Sequence, residues 1–154
     1  MAAYFLDSSA LIKRYVLEPG TAWLRGVTVA TAGHQIYVVR LAIVEMAATL
    51  ARQARAGNLN PGAAAVGITQ IRHAFAHEFR VIEITAVLAS HALNLIQIHA
   101  LRGSDALHLA AATELNRRRT VDGLPSLTVI SADAELNQAA RAEGPSVEDP
   151  NNHA

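Results

Sequence analysis

An α/β fold, with a central, mainly parallel sheet of about four to five strands flanked by helices, is predicted by three features of this 154-residue sequence. Short apolar, β-branched segments recur along the chain, each followed by a longer segment with helical spacing of its apolar residues. Hydroxyl and acidic residues, glycines and prolines sit at the junctions, where helix caps and breaks belong. The hydrophobic share of 51% is enough to fill the core of one domain of this length.

Residues 3–6 open the chain as an apolar run without alternation, a buried strand that stops at Asp7. Ser8 and Ser9 offer caps for a helix over 9–18, which Pro19 and Gly20 end. A second helix is expected over 21–32, weakened by Gly26 and by β-branched residues. Residues 35–39 read as a strand, and 40–56 as a long helix closed by Gly57. Asn60 and Pro61 open the next helix, running to residue 78, and 79–84 alternate as a strand does. A helix over 85–100 is broken at Arg102 and Gly103, after which Ser104 caps a helix over 105–118. A buried strand over 127–130 and a helix over 133–142 follow. From Gly144 the chain is acidic and polar around a short strand at Ser146 and Val147, so residues 1–148 form one domain and 149–154 a polar tail.

Without cysteine, neither a disulfide nor a thiolate metal site can form. No secretory leader pattern and no uncharged apolar run of about 18–20 residues is present, so a cytoplasmic protein with no membrane span is expected. The net charge of zero hides an asymmetry: up to Arg119 there are 12 basic and 7 acidic residues, and beyond it 1 basic and 6 acidic. A basic, arginine-rich body suits a polyanionic partner and equally suits a solvated surface; charge alone does not choose.

Four acids stand in unusual places. Asp7 ends the first strand, and Asp133 follows closely on a later one. Glu45 lies on an apolar helical turn whose neighbours, Leu41, Ala42, Ala48 and Thr49, include no cation. Asp105 is the lone acid at the start of a helix of small apolar residues, where the helix dipole favours it. Each has an ordinary reading as a cap or a solvent-facing group. Together they can meet at the carboxyl edge of a parallel sheet, where α/β folds build their sites. Carboxylates crowded in one cleft repel, and a hard cation relieves them; oxygen-only ligands favour Mg²⁺ or Mn²⁺ over zinc.

These residues resemble the PIN-domain family, and most of all the VapC-type ribonuclease toxins of toxin–antitoxin systems. The resemblance spans nearly the whole chain and is carried by Phe5-Leu6-Asp7-Ser8-Ser9-Ala10-Leu11-Ile12-Lys13, by Glu45 on the helix after the second strand, by Ser104-Asp105-Ala106-Leu107-His108-Leu109-Ala110, and by Ser131-Ala132-Asp133. It implies a PIN-like three-layer fold and a metal-dependent endoribonuclease that leaves a 5′-phosphate and a 3′-hydroxyl. Asp7, Glu45 and Asp105 would be the principal ligands of Mg²⁺ or Mn²⁺, and Asp133 a fourth acid. Ser9 would support Asp7, with Ser131 where the family carries Thr or Ser. It further implies a homodimer, an RNA substrate and an antitoxin that covers the acidic cleft. Lys13, Arg14, Arg40 and Arg102, close in sequence to these acids, are the candidate RNA contacts.

Rival chemistries fit less well. His73 and His77 share a helix face, but Ala74 stands where a zinc protease needs its Glu. His108 is close to Asp105 in sequence and is given no role. An aspartyl-phosphate phosphatase needs an acid two residues after Asp7, where Ser9 stands, and no Gly-rich phosphate loop is present. A PIN fold that binds RNA or a partner without cutting remains the alternative, distinguished by whether RNA is cleaved in a metal-dependent way.

Overall fold

A computed structural model describes residues 1–154. The chain runs β1 (Ala3–Leu6), α1 (Ser8–Leu11), a 3₁₀ turn (Ile12–Arg14), α2 (Thr21–Thr28), β2 (Gln35–Val39), α3 (Leu41–Arg55), α4 (Pro61–His77), β3 (Arg80–Ile82), α5 (Ala86–Ile98), α6 (Gly103–Val121), β4 (Thr128–Ile130), α7 (Ala134–Glu143) and β5 (Ser146–Glu148). The five strands form one sheet in the order β3-β2-β1-β4-β5, every pairing parallel.

Alternation along the strands creates the three layers. Ala3 and Phe5 of β1 enter one 16-residue apolar cluster, filled by Leu88, Ala92 and Leu95 of α5, Leu109 and Ala110 of α6, and Leu136 of α7. Leu6 of β1, with Ile36 and Val38 of β2, enters a second 16-residue cluster with Leu24 of α2, Met46 and Leu50 of α3, and Ile71 and Phe75 of α4. The sheet is therefore covered on both sides, as an all-parallel sheet requires. The small residues of α6, Ala106 and Ala110 to Ala112, are fully buried and let that helix lie close on the strands.

The topology places the site. From β1 the chain winds outward through β2 to β3, then returns to lay β4 on the other side of β1 and continues to β5. The boundary between β1 and β4 is thus the switch point of the sheet, where strand ends leave a crevice. Asp7 and Asp133 both follow strands at that boundary.

Several boundaries differ from those the sequence predicts. The helix expected over 9–18 is a single α turn and a 3₁₀ turn, ending before Tyr15. Its cap is Asp7, not a serine, because Asp7 is the last extended residue (ψ 176°) and its carboxylate reaches the Ala10 amide. Residues 21–32 split at Val29, whose ψ of 139° ends α2 before a 3₁₀ turn. The α6 helix starts at Gly103, so Ser104 lies inside it rather than capping it, and it runs on to Val121. Of residues 79–84 only Arg80–Ile82 pair, as suits a short edge strand. The last residues are ordered: Pro150–His153 form a 3₁₀ turn, Pro150 is buried, and His153 stacks on Trp23 of α2 with ring centroids 4.0 Å apart. No helix is long and apolar enough to cross a membrane.

Candidate active site at the carboxyl edge of the sheet

Asp7 is the most deeply buried of the four acids, 2% exposed. Its Oδ1 accepts the Ala10 amide at 3.0 Å, and the Ser9 hydroxyl lies 2.8 and 2.9 Å from its two oxygens. Ser131, at the end of β4, donates its hydroxyl to Oδ2 at 2.7 Å. The same hydroxyls also accept: Ser9 takes the Ala132 amide across the strand boundary at 2.9 Å, and Ser131 takes the Asp133 amide two residues on at 3.0 Å. Burial pushes the Asp7 carboxyl above its ordinary range, despite the lowering influence of His108 and of these hydrogen bonds.

Glu45 projects from the second turn of α3 and is half-buried. Its partners come from outside its own helix, since no cation lies at the neighbouring positions. The Ser8 hydroxyl donates to Oε1 at 2.8 Å, and His108 Nε2 stands 2.6 Å from the same oxygen. Burial resists the charge on Glu45, but the hydrogen bond and charge of His108, with Ser8 and Arg102, outweigh it and hold the carboxyl below its ordinary range. His108 is 1% exposed; burial disfavours its charge, yet the Glu45 hydrogen bond and the charges of Asp7, Glu45 and Asp105 raise it. The opposite directions share one cause, the short hydrogen bond between the two side chains.

Asp105 sits in the first turn of α6, one turn before His108. Burial, and then the charge of Asp133, raise its carboxyl against the pull of Arg102 and His108. Asp133 caps α7, its Oδ1 accepting the amides of Glu135 at 2.9 Å and Leu136 at 3.1 Å. Arg102 approaches both acids, with Nε 3.4 Å from Asp105 Oδ2 and Nη2 3.9 Å from Asp133 Oδ2. At 82% side-chain exposure, this guanidinium makes weak, screened contacts that are easily exchanged.

All four acids line one open cleft of about 510 Å³, together with Arg102 and His108. A larger cavity lies elsewhere, but the convergent carboxylates single out this cleft. No three Asp, Glu or His side chains close on one point as a ready-made metal group. The donor set nonetheless fits a hard divalent cation: the four acids offer only carboxylate oxygens, and burial, with the neighbouring Asp133 charge for Asp105, raises two of them.

The candidate RNA contacts do not gather. Arg102 is in the cleft. Lys13 is buried, with Nζ 3.1 Å from Oε2 of the partly exposed Glu18. Arg40 is paired with Glu83, and Arg14 lines a different cavity, paired with Glu78. His108 and Ser8 are the contributors that sequence reasoning passed over. The signal for His108 was its position one turn beyond Asp105, on a helix otherwise made of small apolar residues around it.

The sequence model of the PIN domain matches residues 4–142. The chain is 33% identical over 148 residues to Ribonuclease VapC45 of Mycobacterium tuberculosis (strain CDC 1551 / Oshkosh), a match covering 94% of this chain and 93% of that protein. Ribonuclease VapC49 of Mycobacterium tuberculosis (strain ATCC 25618 / H37Rv) matches over the same span with the same identity. Among solved structures, PAE2754 from Pyrobaculum aerophilum is similar in fold, with a TM-score of 0.64 at 18% identity, covering 98% of this chain and 85% of that one. VapC20 of Mycobacterium tuberculosis, described as a sarcin–ricin loop cleaving toxin, gives 0.59 at 16% identity, covering 92% and 95%. VapBC2 from Rickettsia felis, solved with a promoter DNA fragment, gives 0.64 at 10% identity, covering 96% and 98%. A five-stranded parallel sheet with both faces covered, acids gathered at its switch point, and these matches along nearly the whole chain lead to one conclusion: the chain belongs to the PIN domain family and, within it, to the VapC type.

Proposed function

We propose that this protein is the toxin of a toxin–antitoxin pair, a metal-dependent endoribonuclease that hydrolyses RNA phosphodiester bonds in the cytoplasm and is held inactive by a cognate antitoxin. The observation that carries this reading is the convergence of Asp7, Glu45, Asp105 and Asp133 on one cleft at the sheet's switch point. The VapC names of the relatives support the ribonuclease class.

In this reading Asp7, Glu45 and Asp105 hold Mg²⁺ or Mn²⁺, with Asp133 as the fourth acid. The bound ion supplies positive charge to a phosphate and makes a coordinated water more acidic. Ser9 and Ser131 fix Asp7 from both sides, so its oxygens are oriented before any ligand arrives. His108 and Ser8 do the same for Glu45. Asp133, with one oxygen committed to capping α7, offers the other to the cleft. Arg102, exposed at the rim, is placed to exchange its carboxylates for an RNA phosphate. A homodimer is supported by α5, which has no charged residue and leaves Val87, Leu93 and Ile98 exposed on the surface.

The test is incubation of the purified protein, free of any co-purified antitoxin, with labelled tRNA and structured RNA in Mg²⁺, Mn²⁺ or EDTA, beside Asp7→Asn. Metal-dependent cuts with 5′-phosphate ends that vanish in the variant are expected. RNA binding without cutting in any metal would overturn the reading in favour of a non-cutting RNA-binding module.

A further inference from the structure

The wall of the acidic cleft runs on past Glu45. Along α3, Thr49 lies one turn beyond Glu45 and Arg52 one turn beyond Thr49, and all three line the cleft. Side chains three and four residues apart share one helix face. An adjoining face of the same helix is fixed in the core by Ala42, Met46 and Leu50, all buried. Glu45, Thr49 and Arg52 therefore stand at set intervals along a rigid rod.

Arg52 differs from the cations so far considered for RNA. Lys13, Arg14 and Arg40 are paired with Glu18, Glu78 and Glu83, and Arg102 is shared between Asp105 and Asp133. Arg52 meets no carboxylate. The one hydrogen bond of its side chain runs from Nη2 to Thr49 Oγ1 at 3.1 Å, leaving Nε and Nη1 with donors to spare at an exposed position. A planar guanidinium oriented by a hydroxyl, with an unused donor edge, suits a phosphate oxyanion.

Its position says which phosphate. The Thr49 bond draws the guanidinium back to the level of Thr49, four residues or about 6 Å along the helix axis from Glu45. That offset is wider than one phosphate group and suits the next phosphate along an extended strand. The two guanidiniums of the cleft also come from opposite layers, Arg102 just ahead of α6 and Arg52 on α3, so a polyanion crossing the acids meets a cation from each.

We propose that Arg52, positioned by Thr49, binds the RNA phosphate next to the one that is cleaved, so that the strand leaves the cleft along α3. The inference rests on the ribonuclease reading, to which it adds a course for the strand and a residue that contributes binding without touching the bond that breaks.

The experiment measures binding of a short fluorescent single-stranded RNA to the full-length chain carrying Asp7→Asn in Mn²⁺, by anisotropy over a range of salt concentrations. Adding Arg52→Gln should weaken binding about three- to tenfold, the loss of one charge-assisted contact. It should also flatten the slope of log affinity against log salt by about 0.7, the share of one phosphate on a single strand. Arg52→Lys should restore the slope, because the charge is kept. Arg55→Gln removes the same charge from the same helix outside the cleft and should change affinity less than about twofold. In cleavage by the chain with Asp7 intact, Arg52→Gln should raise KM and leave kcat nearly unchanged, as befits a contact remote from the reacting bond. Equal affinity and slope with and without Arg52, or an equal loss from Arg55→Gln, would overturn the subsite. Cleavage by the chain with Asp7 intact reports on the ribonuclease reading separately: if that chain cuts RNA while Arg52→Gln alters neither binding nor KM, the subsite alone falls; if it neither cuts nor binds, both fall.

Discussion

His108 Nε2 stands 2.6 Å from Glu45 Oε1, joining α6 to α3 across the mouth of the sheet. This contact links helices from opposite layers, and it satisfies an acid that has no cation three or four residues away on its own helix. Replacing His108 by Ala strands Glu45 with the Ser8 hydroxyl alone. The expected cost is about 1–3 kcal/mol in urea unfolding, with nuclease activity falling further than stability. A variant as stable and active as the parent would remove His108 from the site.

Asp7→Asn should lose RNA cleavage and yet fold at least as stably as the parent in EDTA at neutral pH. The folded-state pKa of Asp7 is raised above 3.8, so its ionised form is a liability in the native state. That liability is present above the folded pKa and disappears as pH falls below 3.8. The stability advantage of the Asn chain should therefore shrink on acidification, measured as a difference in melting temperature between pH 7 and the lowest pH at which both chains fold.

Ser131→Ala removes one donor to Asp7 and the acceptor of the Asp133 amide at a position that is 0% exposed. A loss of about 1–2 kcal/mol is expected, recovered in large part by Thr, which keeps the hydroxyl. Chemical unfolding of the three chains decides it.

Arg102→Ala should lower the Mn²⁺ concentration needed for half-maximal thermal stabilisation by about two- to tenfold, since it frees Asp105 and Asp133 of a competing cation. RNA affinity should fall at the same time. An unchanged Mn²⁺ midpoint would mean that the arginine and the ion do not share these acids.

Glu114, flanked by Arg117 and Arg118, has its carboxyl lowered from 4.5 to about 2 by hydrogen bonds from both. Its folded pKa is depressed, so its contribution is present above pH 4.5 and is lost as pH falls toward 2. Glu114→Gln should be slightly less stable than the parent at pH 7 and equal to it near pH 2. Melting curves across that range test the sign.

The parallel sheet and its helices were legible because strand and helix periods alternate so plainly, and Asp7, Glu45, Asp105 and Asp133 were legible as acids out of place. What sequence could not show is which donor reaches which acid. Ser131 finds Asp7 only because β4 lies beside β1, a pairing of residues 124 apart. His108 finds Glu45 across 63 residues, and Lys13 pairs with the partly exposed Glu18, five residues on. Helix ends slipped where a cap came from an unexpected residue, as Asp7 displaced the serines after it.

The position of β4 has a consequence for synthesis of the chain. Until residues 128–130 leave the ribosome, β1 has one open edge, Asp7 lacks Ser131, and Asp133 does not yet exist. A chain ending before residue 128 carries Asp7, Glu45 and Asp105 but lacks β4, Ser131 and Asp133. The cleft therefore gathers all four of its acids only after β4 has joined the sheet beside β1.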